Sequence, residues 1–299
     1  MTARPVSLFI NPTAGRGRAG HRLSRIREIL VEGGIEFSQY SSCAVGDLED
    51  QVYTEVCNGS DRIVVAGGDG SIHEAVNGIM RAKHRARLGV IPCGTGNDFA
   101  KACAIPLDWE HASQLLVDRL SRDAVWRRVD VGRMNDRYFA NGAGIGFDAK
   151  VTRVARSYRW PVGDFVYLLA IIRCLLDGIA TPDVMITSDE LQWSGPLTLA
   201  NISNGAWIGG MFHIAPMADN SDGQLELLIA GPVSRLRILS LLPKLIRGTH
   251  MGEPEIVHAG MRRIQIRTSV PVPSHLDGEV GAFDSSYDIE ILPAALDML

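Results

Sequence analysis

Three glycine-rich segments constrain the fold of this 299-residue chain more than any other sequence feature. They span residues 11–17, 67–71 and 94–98, and each follows an apolar strand-like run and precedes a helix-like run. Repeated strand–turn–helix units predict a parallel sheet with helices on both faces, and ligands bind such sheets beyond the carboxyl ends of the strands. Glycine lets backbone N–H groups approach a phosphate closely, because it carries no Cβ atom. The three segments therefore predict a phosphate-binding site.

The bulk composition predicts a folded protein and argues against one class of partner. Hydrophobic residues make up 46% of the chain and charged residues 21%, which allows a sizeable core and disfavours disorder. The formal net charge of -4 argues against a general nucleic-acid-binding protein, whose affinity comes mainly from Lys and Arg. A local group of arginines within residues 16–27 fits either an anionic ligand or a solvated helix face.

The first part of the chain, residues 1–125, is predicted to form an α/β nucleotide-binding domain, because strand-like and helix-like patterns alternate along it. The predicted strands are residues 5–10, 36–40, 62–66 and 88–92. The predicted helices are residues 21–33 and 48–57, followed by helices that begin near Ser71 and Phe99. Ser71 is a hydroxyl residue at the start of its helix and is therefore expected near the N-cap.

Residues 126–292 are predicted to form a mainly antiparallel, β-sandwich-like or barrel domain, because strand-like segments separated by turn residues dominate there. The segments are residues 126–131, 137–141, 183–188, 196–201, 224–229, 263–267 and 287–292. Two helix-like insertions interrupt them, at residues 164–176 and 233–247. A short tail, residues 293–299, is expected to pack back on the first domain.

The two insertions have two interpretations. Together with residues 158–161 they are rich in aromatic and aliphatic side chains flanked by arginine, so they are core helices or they lie in a membrane interface.

The chain shows no secretion-signal pattern and no run of about 18 apolar residues. Its five scattered cysteines lack a CxxC pair, as is typical of reduced thiols. We therefore expect a cytoplasmic protein whose membrane contact is at most peripheral and transient.

The most specific segment is residues 67–71, Gly-Gly-Asp-Gly-Ser. Its glycines and hydroxyl predict a phosphate cradle, and the carboxylate of Asp69 is a suitable ligand for Mg²⁺. Glu74 and Asn77 are spaced to lie on one face of the helix that follows, which favours a functional interpretation. The alternative is an ordinary strand–turn–helix junction in which Asp69 is a turn residue.

The segment at residues 94–98, Gly-Thr-Gly-Asn-Asp, is a second candidate turn for nucleotide binding. Thr95 is a candidate donor to phosphate, while Asn97 and Asp98 are candidates for contact with ribose, metal or the neighbouring loop. The alternative is an Asx-type N-cap for the following helix. The segment that begins at Asn11 is also compatible with a common turn.

Four motifs in order resemble the signatures of the diacylglycerol kinase and sphingosine kinase catalytic family, most closely its bacterial soluble lipid kinase branch. They are residues 11–15, 67–71, 94–100 and 277–279, and the likeness covers residues 5–292. The resemblance implies a Rossmann-like nucleotide domain similar to those of phosphofructokinases and NAD kinases, a β-sandwich-like domain, and an active site in the cleft between them. It also implies ATP as co-substrate, Mg²⁺, and a lipid alcohol as acceptor.

The resemblance, together with the residue chemistry above, implies a set of nucleotide-binding residues. Asp69 would serve the metal–phosphate centre. Ser42 aligns only loosely with a family threonine, Ser71 stands where threonine is usual, and His73 stands where asparagine is frequent. The full set is Asn11, Ser42, Gly67, Gly68, Asp69, Gly70, Ser71, Ile72, His73, Glu74, Asn77, Gly94, Thr95, Asn97 and Asp98.

The motif Asp277-Gly278-Glu279 resembles the catalytic acidic motif of the family, in which one carboxylate accepts the proton of the acceptor hydroxyl. That base must lie within hydrogen-bond reach of the hydroxyl while the γ-phosphoryl group waits in line. Spacing does not choose between Asp277 and Glu279, so both are candidates. Without the resemblance, Asp277-Gly278 is interpreted as a hairpin turn.

Residues 215–225 resemble a family segment that holds a structural Mg²⁺ ion. Asp219 and Asp222, with the carbonyl of Gln224, match its ligand positions, and oxygen ligands suit a hard cation. The alternative is a solvated turn.

Three functional hypotheses follow. The first is an ATP-dependent lipid kinase that acts on diacylglycerol, phosphatidylglycerol, a sphingoid base or a related lipid alcohol. The second is a soluble-substrate kinase of the same superfold, such as an NAD kinase, which should lack the motifs at residues 94–100 and 277–279. The third is a nucleotide-binding regulatory protein without catalysis, against which the intact acidic residues speak. The sequence does not choose the lipid or the oligomeric state, and a homodimer is one option.

Overall fold

A computed structural model describes residues 5–15, 17–122, 125–158 and 165–299. The chain forms two compact units. Unit 1 comprises the chain up to Asp130 together with Ala294–Leu299, and unit 2 comprises Val131–Pro293. The predicted boundary after residue 125 falls shortly before this division. Arg16 and residues 159–164, which the sequence analysis assigned to the basic group and to the membrane-facing segment, lie outside the described residues.

Unit 1 contains a parallel sheet, as predicted. Its strands are β1 (Val6–Ile10), β2 (Phe37–Ser41), β3 (Arg62–Gly67) and β4 (Arg87–Pro92), in the order β4-β3-β1-β2. The helices are α1 (Arg18–Glu32), α2 (Asp47–Cys57), α3 (Asp69–Ala82), α4 (Asp98–Ala102) and α5 (Trp109–Arg122). Every residue of β1 is buried, which explains why this strand is a continuous apolar run rather than an alternating one.

The core of unit 1 explains where its helices lie. Ile26 and Leu30 of α1 and Leu116 of α5 belong to one buried cluster with the apolar side chains of the sheet. α1 stops at Gly33, and Gly34 adopts a φ of 71°, which is a common way to end a helix. Burial of each such aliphatic side chain contributes about 1.5–3 kcal/mol to folding.

Two predictions for unit 1 need correction. α3 begins at Asp69 with Gly68 as its N-cap, so Ser71 lies inside the first turn and is not near the N-cap position. The sequence analysis also did not predict α5. Its buried residues include the small side chains of Ala112 and Ser113, which give little apolar signal in the sequence.

Unit 2 contains antiparallel strands, as predicted. They include β5 (Arg127–Met134, which begins in unit 1), β6 (Arg137–Phe139), β7 (Gly142–Gly146), β8 (Asp183–Ser188), β9 (Gln192–Pro196), β10 (Leu199–Ser203), β11 (Leu225–Ala230), β12 (Ile256–Met261), β13 (Arg263–Leu276) and β14 (Glu279–Met298). The order β12-β11-β10-β7-β13-β14 is antiparallel throughout. The two-part fold expected from the sequence is confirmed.

β13 and β14 are much longer than predicted. β13 continues through Pro271 and Pro273, and its pairing with β14 shifts register between Arg267 and Val272 and again between Pro273 and His275. These irregularities accommodate residues that lack a backbone N–H donor. At its far end β14 belongs to unit 1, where Asp297 and Met298 pair in parallel with β4.

The described part of unit 2 contains three helices rather than the two predicted insertions. They are α6 (Phe147–Ser157), α7 (Phe165–Asp177) and α8 (Arg235–Arg247). α6 was missed because the glycine-rich strand β7 precedes it and resembles a loop in sequence. All three helices contribute to one apolar cluster that includes Val151, Cys174 and Leu241. None of the helices within the described ranges is long and apolar enough to cross a membrane.

Candidate active site

The three glycine segments meet at one edge of the unit 1 sheet. β1, β3 and β4 are parallel neighbours, so their carboxyl ends lie side by side. Asn11 follows β1, Gly68 follows β3 and Gly94 follows β4. The Asn11 amide donates to Ser71 Oγ at 3.2 Å, which joins the first segment to the second. The three glycine segments, which are far apart in sequence, therefore lie together on one surface of unit 1.

Gly68 and Gly94 lie in direct backbone contact. A Cβ atom on Gly94 would lie 2.6 Å from the Gly68 Cα, and one on Gly68 would lie 2.9 Å from the Gly94 Cα. Both distances are shorter than real Cβ contacts allow, so only glycine fits at either position. Asn97 closes the second turn, since its Oδ1 accepts from the Gly94 N–H at 2.9 Å. The sequence analysis required glycine here for approach to a phosphate, and the packing of the two turns requires it as well.

Asp69 connects the second segment to the third. Its Oδ1 accepts a hydrogen bond from the backbone N–H of Phe99 at 3.2 Å, in the first turn of α4. The N-cap residue of α4 is Asn97, whose side chain makes no capping hydrogen bond to the helix. Asp69 therefore supplies the cap that the Asx-type interpretation had assigned to Asn97, and it holds α4 beside the start of α3.

The start of α3 can bind an anion. Gly68 is the N-cap, and α3 runs for 14 residues, so N–H groups that have no carbonyl partner within the helix and the positive end of the helix dipole lie at the turn of glycines. Thr95 is exposed between β4 and α4. Asp98 pairs with Lys101 at 3.0 Å. Ser42 directly follows β2, the neighbour of β1, and its N–H donates to the Ile10 carbonyl.

Several residues that were predicted to bind nucleotide instead make contacts within the protein. Glu74 Oε2 accepts from the backbone N–H groups of Leu48 and Glu49, so this carboxylate caps α2. Asn77 is 1% exposed and donates to the His73 carbonyl, and the His73 side chain is itself buried. A contact between these three side chains and nucleotide stays a prediction.

In unit 2, Asp277 and Gly278 form the tight turn between β13 and β14. Their φ angles are 50° and 81°, as a two-residue hairpin of the I′ kind requires, so the hairpin interpretation describes the backbone correctly. Asp277 Oδ1 accepts from the N–H groups of Asn141 and Gly142, and Oδ2 accepts from Ala140. Both oxygens of this carboxylate are therefore occupied by backbone donors.

Glu279 differs from Asp277 in its surroundings. Its Oε2 lies 2.5 Å from Arg156 Nη1, and its side chain is 27% exposed. The same Arg156 nitrogen donates to the Gly278 carbonyl at 3.0 Å. The carboxylate of Glu279 is thus held by a side chain at the end of α6 and remains accessible to solvent. The sequence analysis missed Arg156, because nothing in its local pattern marks a partner 123 residues away.

The predicted metal loop forms a series of turns. Asp219 Oδ1 accepts from the Ser221 N–H and hydroxyl, and Asp222 Oδ1 accepts from the Gln224 N–H. Among the described residues no group of three or more His, Cys, Asp or Glu side chains is placed to hold a metal ion. The solvated-turn interpretation matches these hydrogen bonds, and metal binding here stays a prediction.

Unit 2 also contains an apolar cavity that the sequence analysis did not identify. The cavity has a volume of about 120 Å³ and is bordered by side chains of α6, α7, α8 and neighbouring segments, such as Ile171, Phe212 and Leu241. Polar side chains are few in this lining; they include Asp148 and His250. Burial lowers the pKa of the His250 imidazole, which favours its neutral form. A lining with so few polar groups suits a hydrocarbon chain rather than a charged ligand.

Comparison with known proteins shows the class to which this fold and site belong. Residues 5–134 match the diacylglycerol kinase catalytic domain. Residues 142–299 match the YegS C-terminal NAD kinase beta sandwich-like domain. A diacylglycerol kinase catalytic domain followed by this β domain defines an ATP-dependent lipid kinase.

Whole-chain relatives give the family. Diacylglycerol kinase of Bacillus subtilis (strain 168) is 29% identical over 276 residues, covering 92% of this chain and 89% of the relative. Diacylglycerol kinase of Staphylococcus epidermidis (strain RP62A) is 30% identical over 280 residues, covering 92% and 85%. A crystal structure of a candidate diacylglycerol kinase from Bacillus anthracis str. Sterne superposes with a TM-score of 0.81 at 26% identity, covering 100% and 97%. The chain belongs to the diacylglycerol kinase family.

Proposed function

We propose that this lipid kinase transfers the γ-phosphoryl group of ATP to the hydroxyl of diacylglycerol or of a related lipid alcohol. The observation that carries the proposal is the contact between Gly68 and Gly94, which brings together the two glycine turns at the ends of β3 and β4. The curated relatives named above are diacylglycerol kinases, which supports diacylglycerol as the acceptor.

ATP is the co-substrate of this class of enzyme, and the proposal assigns its phosphates to unit 1. Backbone N–H groups at the start of α3 would bind phosphate oxygens, since they have no partner within the helix. Asn11 and Ser71, which are hydrogen-bonded to each other, would present an amide and a hydroxyl beside them. Thr95 and Ser42, at the ends of neighbouring strands, would complete the nucleotide contacts.

Mg²⁺ would bind with the nucleotide. The Asp69 carboxylate lies at the phosphate-binding turns, and carboxylate oxygen is the ligand that Mg²⁺ prefers. Bound Mg²⁺ supplies charge neutralisation for the transferring phosphoryl group. A second, structural Mg²⁺ would use the carboxylates of Asp219 and Asp222 with the Gln224 carbonyl, a donor set of oxygens that fits the same hard cation.

The proposal assigns proton transfer to Glu279 and a structural role to Asp277. A general base must reach the acceptor hydroxyl with a lone pair that is not already engaged. Three of the roughly four lone-pair sites of the Asp277 carboxylate are engaged by backbone donors of residues 140–142, which fix its position. Glu279 is accessible and is oriented by Arg156. Phosphoryl transfer needs mainly positioning and charge stabilisation, so one oriented carboxylate is sufficient on the protein side.

Transfer of label from γ-³²P-ATP to dioleoylglycerol in mixed micelles tests the function. We expect radiolabelled phosphatidate with Mg²⁺ present, and loss of the product when Mg²⁺ is removed with EDTA. Asp69→Ala serves as the inactive control. Label on NAD would support the soluble-substrate kinase, and ATP binding without transfer to any alcohol would support the non-catalytic protein. Either result would contradict the proposal.

Membrane contact is assigned to one surface, named here the outer apolar face. α7 and α8 each have a buried side, so the core interpretation of these segments holds for that side. The opposite side carries exposed apolar residues: Phe165, Leu169, Ile172 and Leu176 of α7, and Leu236, Leu239 and Ile246 of α8. The inner sides of the same helices line the apolar cavity. An outer apolar face flanked by Arg173 and Arg247 suits an anionic membrane surface.

Charge substitution on the outer apolar face should weaken membrane binding. Leu176 is 72% exposed and Leu236 is 80% exposed, so Leu176→Glu with Leu236→Glu should not disturb the core. We expect co-sedimentation with vesicles that contain phosphatidylglycerol to fall about tenfold or more, because two apolar anchors become anionic. Val31→Glu is the matched control, since Val31 is also exposed (64%) but lies on α1. Equal loss in the control, or no loss in the double variant, would argue against this surface.

The homodimer that the sequence allowed stays a prediction. β2 ends the described parallel sheet, so its outer edge is a candidate for pairing with another chain. Sedimentation equilibrium measures the oligomeric state directly.

A further inference from the structure

Two arginines of α6 are exposed on the surface of unit 2. Arg153 and Arg156 are three positions apart in the second half of the helix, so they lie on the same face. Lys150 is the other cation of α6, and it is engaged by the carbonyl of Gly178 at 2.9 Å. α6 carries no carboxylate beyond its first turn. The far end of the helix therefore has positive charge that α6 itself does not neutralise.

Arg156 uses one of its three nitrogen atoms to hold the hairpin. Nη1 lies 2.5 Å from Glu279 Oε2 and donates to the Gly278 carbonyl at 3.0 Å. Among the described residues, Nε and Nη2 have no acceptor, and the side chain is 41% exposed. A guanidinium group is a planar fork of N–H donors that matches the oxygen atoms of a carboxylate or a phosphate. Arg156 therefore keeps donors for an anion while it orients Glu279.

Arg153 is held beside the same strand without losing its charge. Its guanidinium group lies over the ring of Phe283, 4.3 Å from the ring centre. Phe283 follows Glu279 by four positions on β14 and is 51% exposed. Among the described residues no carboxylate pairs with Arg153. A contact between a cation and an aromatic ring restricts the arginine but leaves its positive charge available to an anion.

The proposed reaction reverses the charges next to Arg156. Before transfer, Glu279 is ionised and the lipid hydroxyl is neutral. The lipid oxygen that gives its proton to Glu279 is also the oxygen that receives the phosphoryl group. After transfer, the carboxyl group is therefore neutral, and a phosphomonoester with a charge of about -1.5 to -2 at pH 7 lies beside it. An ion pair between exposed side chains contributes little to stability, so Arg156 loses little when it leaves Glu279.

We propose that Arg156, with the charge of Arg153 beside it, binds the phosphomonoester group of the lipid product and exchanges Glu279 for this group after transfer. This inference rests on the proposed function, including Glu279 as the base. In the transfer itself the bond between the terminal phosphorus and ADP breaks, the bond from phosphorus to the lipid oxygen forms, and the hydroxyl proton goes to Glu279. Arg156 contributes hydrogen bonds to the product and takes no part in the covalent step.

Titration of a soluble product measures this binding without turnover. The ligand is dihexanoyl phosphatidate, kept below its micellar concentration, and it is compared with dihexanoyl phosphatidylmethanol, in which one phosphate oxygen carries a methyl group. We expect the wild-type protein to bind the monoester about tenfold or more tightly than the diester, because hydrogen bonds between ions are the stronger ones. Inorganic phosphate should bind more weakly than phosphatidate, since it lacks the hydrocarbon chains.

Substitution of Arg156 should remove this preference. Arg156→Gln should weaken binding of the monoester by about tenfold or more, the effect of losing hydrogen bonds to a charged group. Arg156→Lys keeps the charge but loses the planar fork, so its affinity should lie between those of the wild type and Arg156→Gln. Arg153→Gln should weaken binding by a smaller factor, because Arg153 supplies charge from beside the site.

Glu279→Gln tests the exchange of partners, because glutamine is neutral like the protonated carboxyl group. Its affinity for the monoester should rise by about tenfold, since Arg156 is released from its ionic partner and the repulsion between carboxylate and phosphate disappears. Most of this gain should vanish when the same substitution is made in Arg156→Gln, which has no guanidinium group to release. The double-mutant cycle measures this coupling directly.

A second ion pair of unit 2 gives matched controls. Arg133 and Glu290 are also 2.5 Å apart, and their side chains are 45% and 26% exposed, close to the values for Arg156 and Glu279. Arg133→Gln and Glu290→Gln should leave the affinity for phosphatidate unchanged, and thermal unfolding checks that each variant is folded. Unchanged affinity in Arg156→Gln, or an equal gain from Glu279→Gln with and without Arg156, would overturn the proposed role of Arg156.

The remaining outcomes separate this inference from the proposed function. Equal binding of inorganic phosphate and phosphatidate would show a site for free anions and would overturn the assignment to the lipid product. A titration that fails while label is still transferred to dioleoylglycerol would count against Arg156 and leave the lipid kinase supported. Absence of label on every alcohol would contradict the kinase and, with it, the identification of the ligand as a product.

Discussion

Glu279→Gln should lower kcat by about 10²- to 10⁴-fold, the range that loss of a general base produces. Glutamine keeps the length of the side chain and an oxygen that can accept from Arg156, so the hairpin should remain folded. It cannot take the proton of the lipid hydroxyl near neutral pH. The KM for ATP should change little, because the proposed phosphate contacts lie in unit 1. Initial rates with dioleoylglycerol and with ATP as varied substrates measure both quantities.

Asp277→Asn is the matched control, because it changes the other carboxylate of the same turn. Asp277 accepts from three backbone N–H groups, at residues 140–142. An amide offers one oxygen, so at least one of these donors loses its partner, and the free energy of unfolding should fall by about 1–3 kcal/mol. The expected signature is a lower Tm for Asp277→Asn and an unchanged Tm for Glu279→Gln. The assignment of the base would be wrong if Glu279→Gln retained more than a tenth of the wild-type kcat.

Gly94→Ala should weaken ATP binding by about tenfold or more, the effect of losing one hydrogen bond to a charged phosphate oxygen. The new Cβ atom would lie 2.6 Å from the Gly68 Cα and 2.7 Å from Asn97 Oδ1. The first neighbour is backbone and cannot rotate away, so the two turns must separate. Overpacking of this kind also costs about 1–3 kcal/mol of stability. Isothermal titration with Mg²⁺ and a non-hydrolysable ATP analogue measures the affinity, and thermal unfolding measures the stability.

Gly231→Ala controls for the added methyl group. Gly231 has no atom within 4 Å of the position of a new Cβ, so this substitution should leave ATP affinity unchanged. Gly68→Ala should reproduce the defect of Gly94→Ala, because the same contact is tightened from the other side. Wild-type affinity in both turn variants would mean that the contact between the turns has no part in nucleotide binding.

The sequence predicted the parts of the fold that local patterns determine. β1, β3 and β4 are buried apolar runs, and each is followed by a glycine turn, so the parallel sheet and the shared position of the turns at its carboxyl edge could be anticipated. β7 could not, because Gly142–Gly146 resembles a loop. It is a strand because β10 and β13 pair with it on either side. Its glycines serve close approaches that exist only in the folded chain.

In the candidate site, too, local sequence patterns predicted some features, whereas others depend on contacts between distant parts of the chain. Spacing placed Glu74 and Asn77 on one face of α3, but it did not reveal that Glu74 caps α2. The choice between Asp277 and Glu279 depends on backbone donors more than 130 positions earlier in the chain.

The hairpin at Asp277 and Gly278 makes the length of the chain at this point as important as its residues. β14 starts at Glu279 with no spacer after the turn, and successive side chains of a strand point to opposite sides. Insertion or deletion of one residue here would rotate the carboxylate to the other surface of the sheet. Composition would be nearly unchanged, yet the proposed base would face away from the lipid hydroxyl. Engineered changes of loop length in this enzyme should therefore avoid the turn at Asp277 and Gly278.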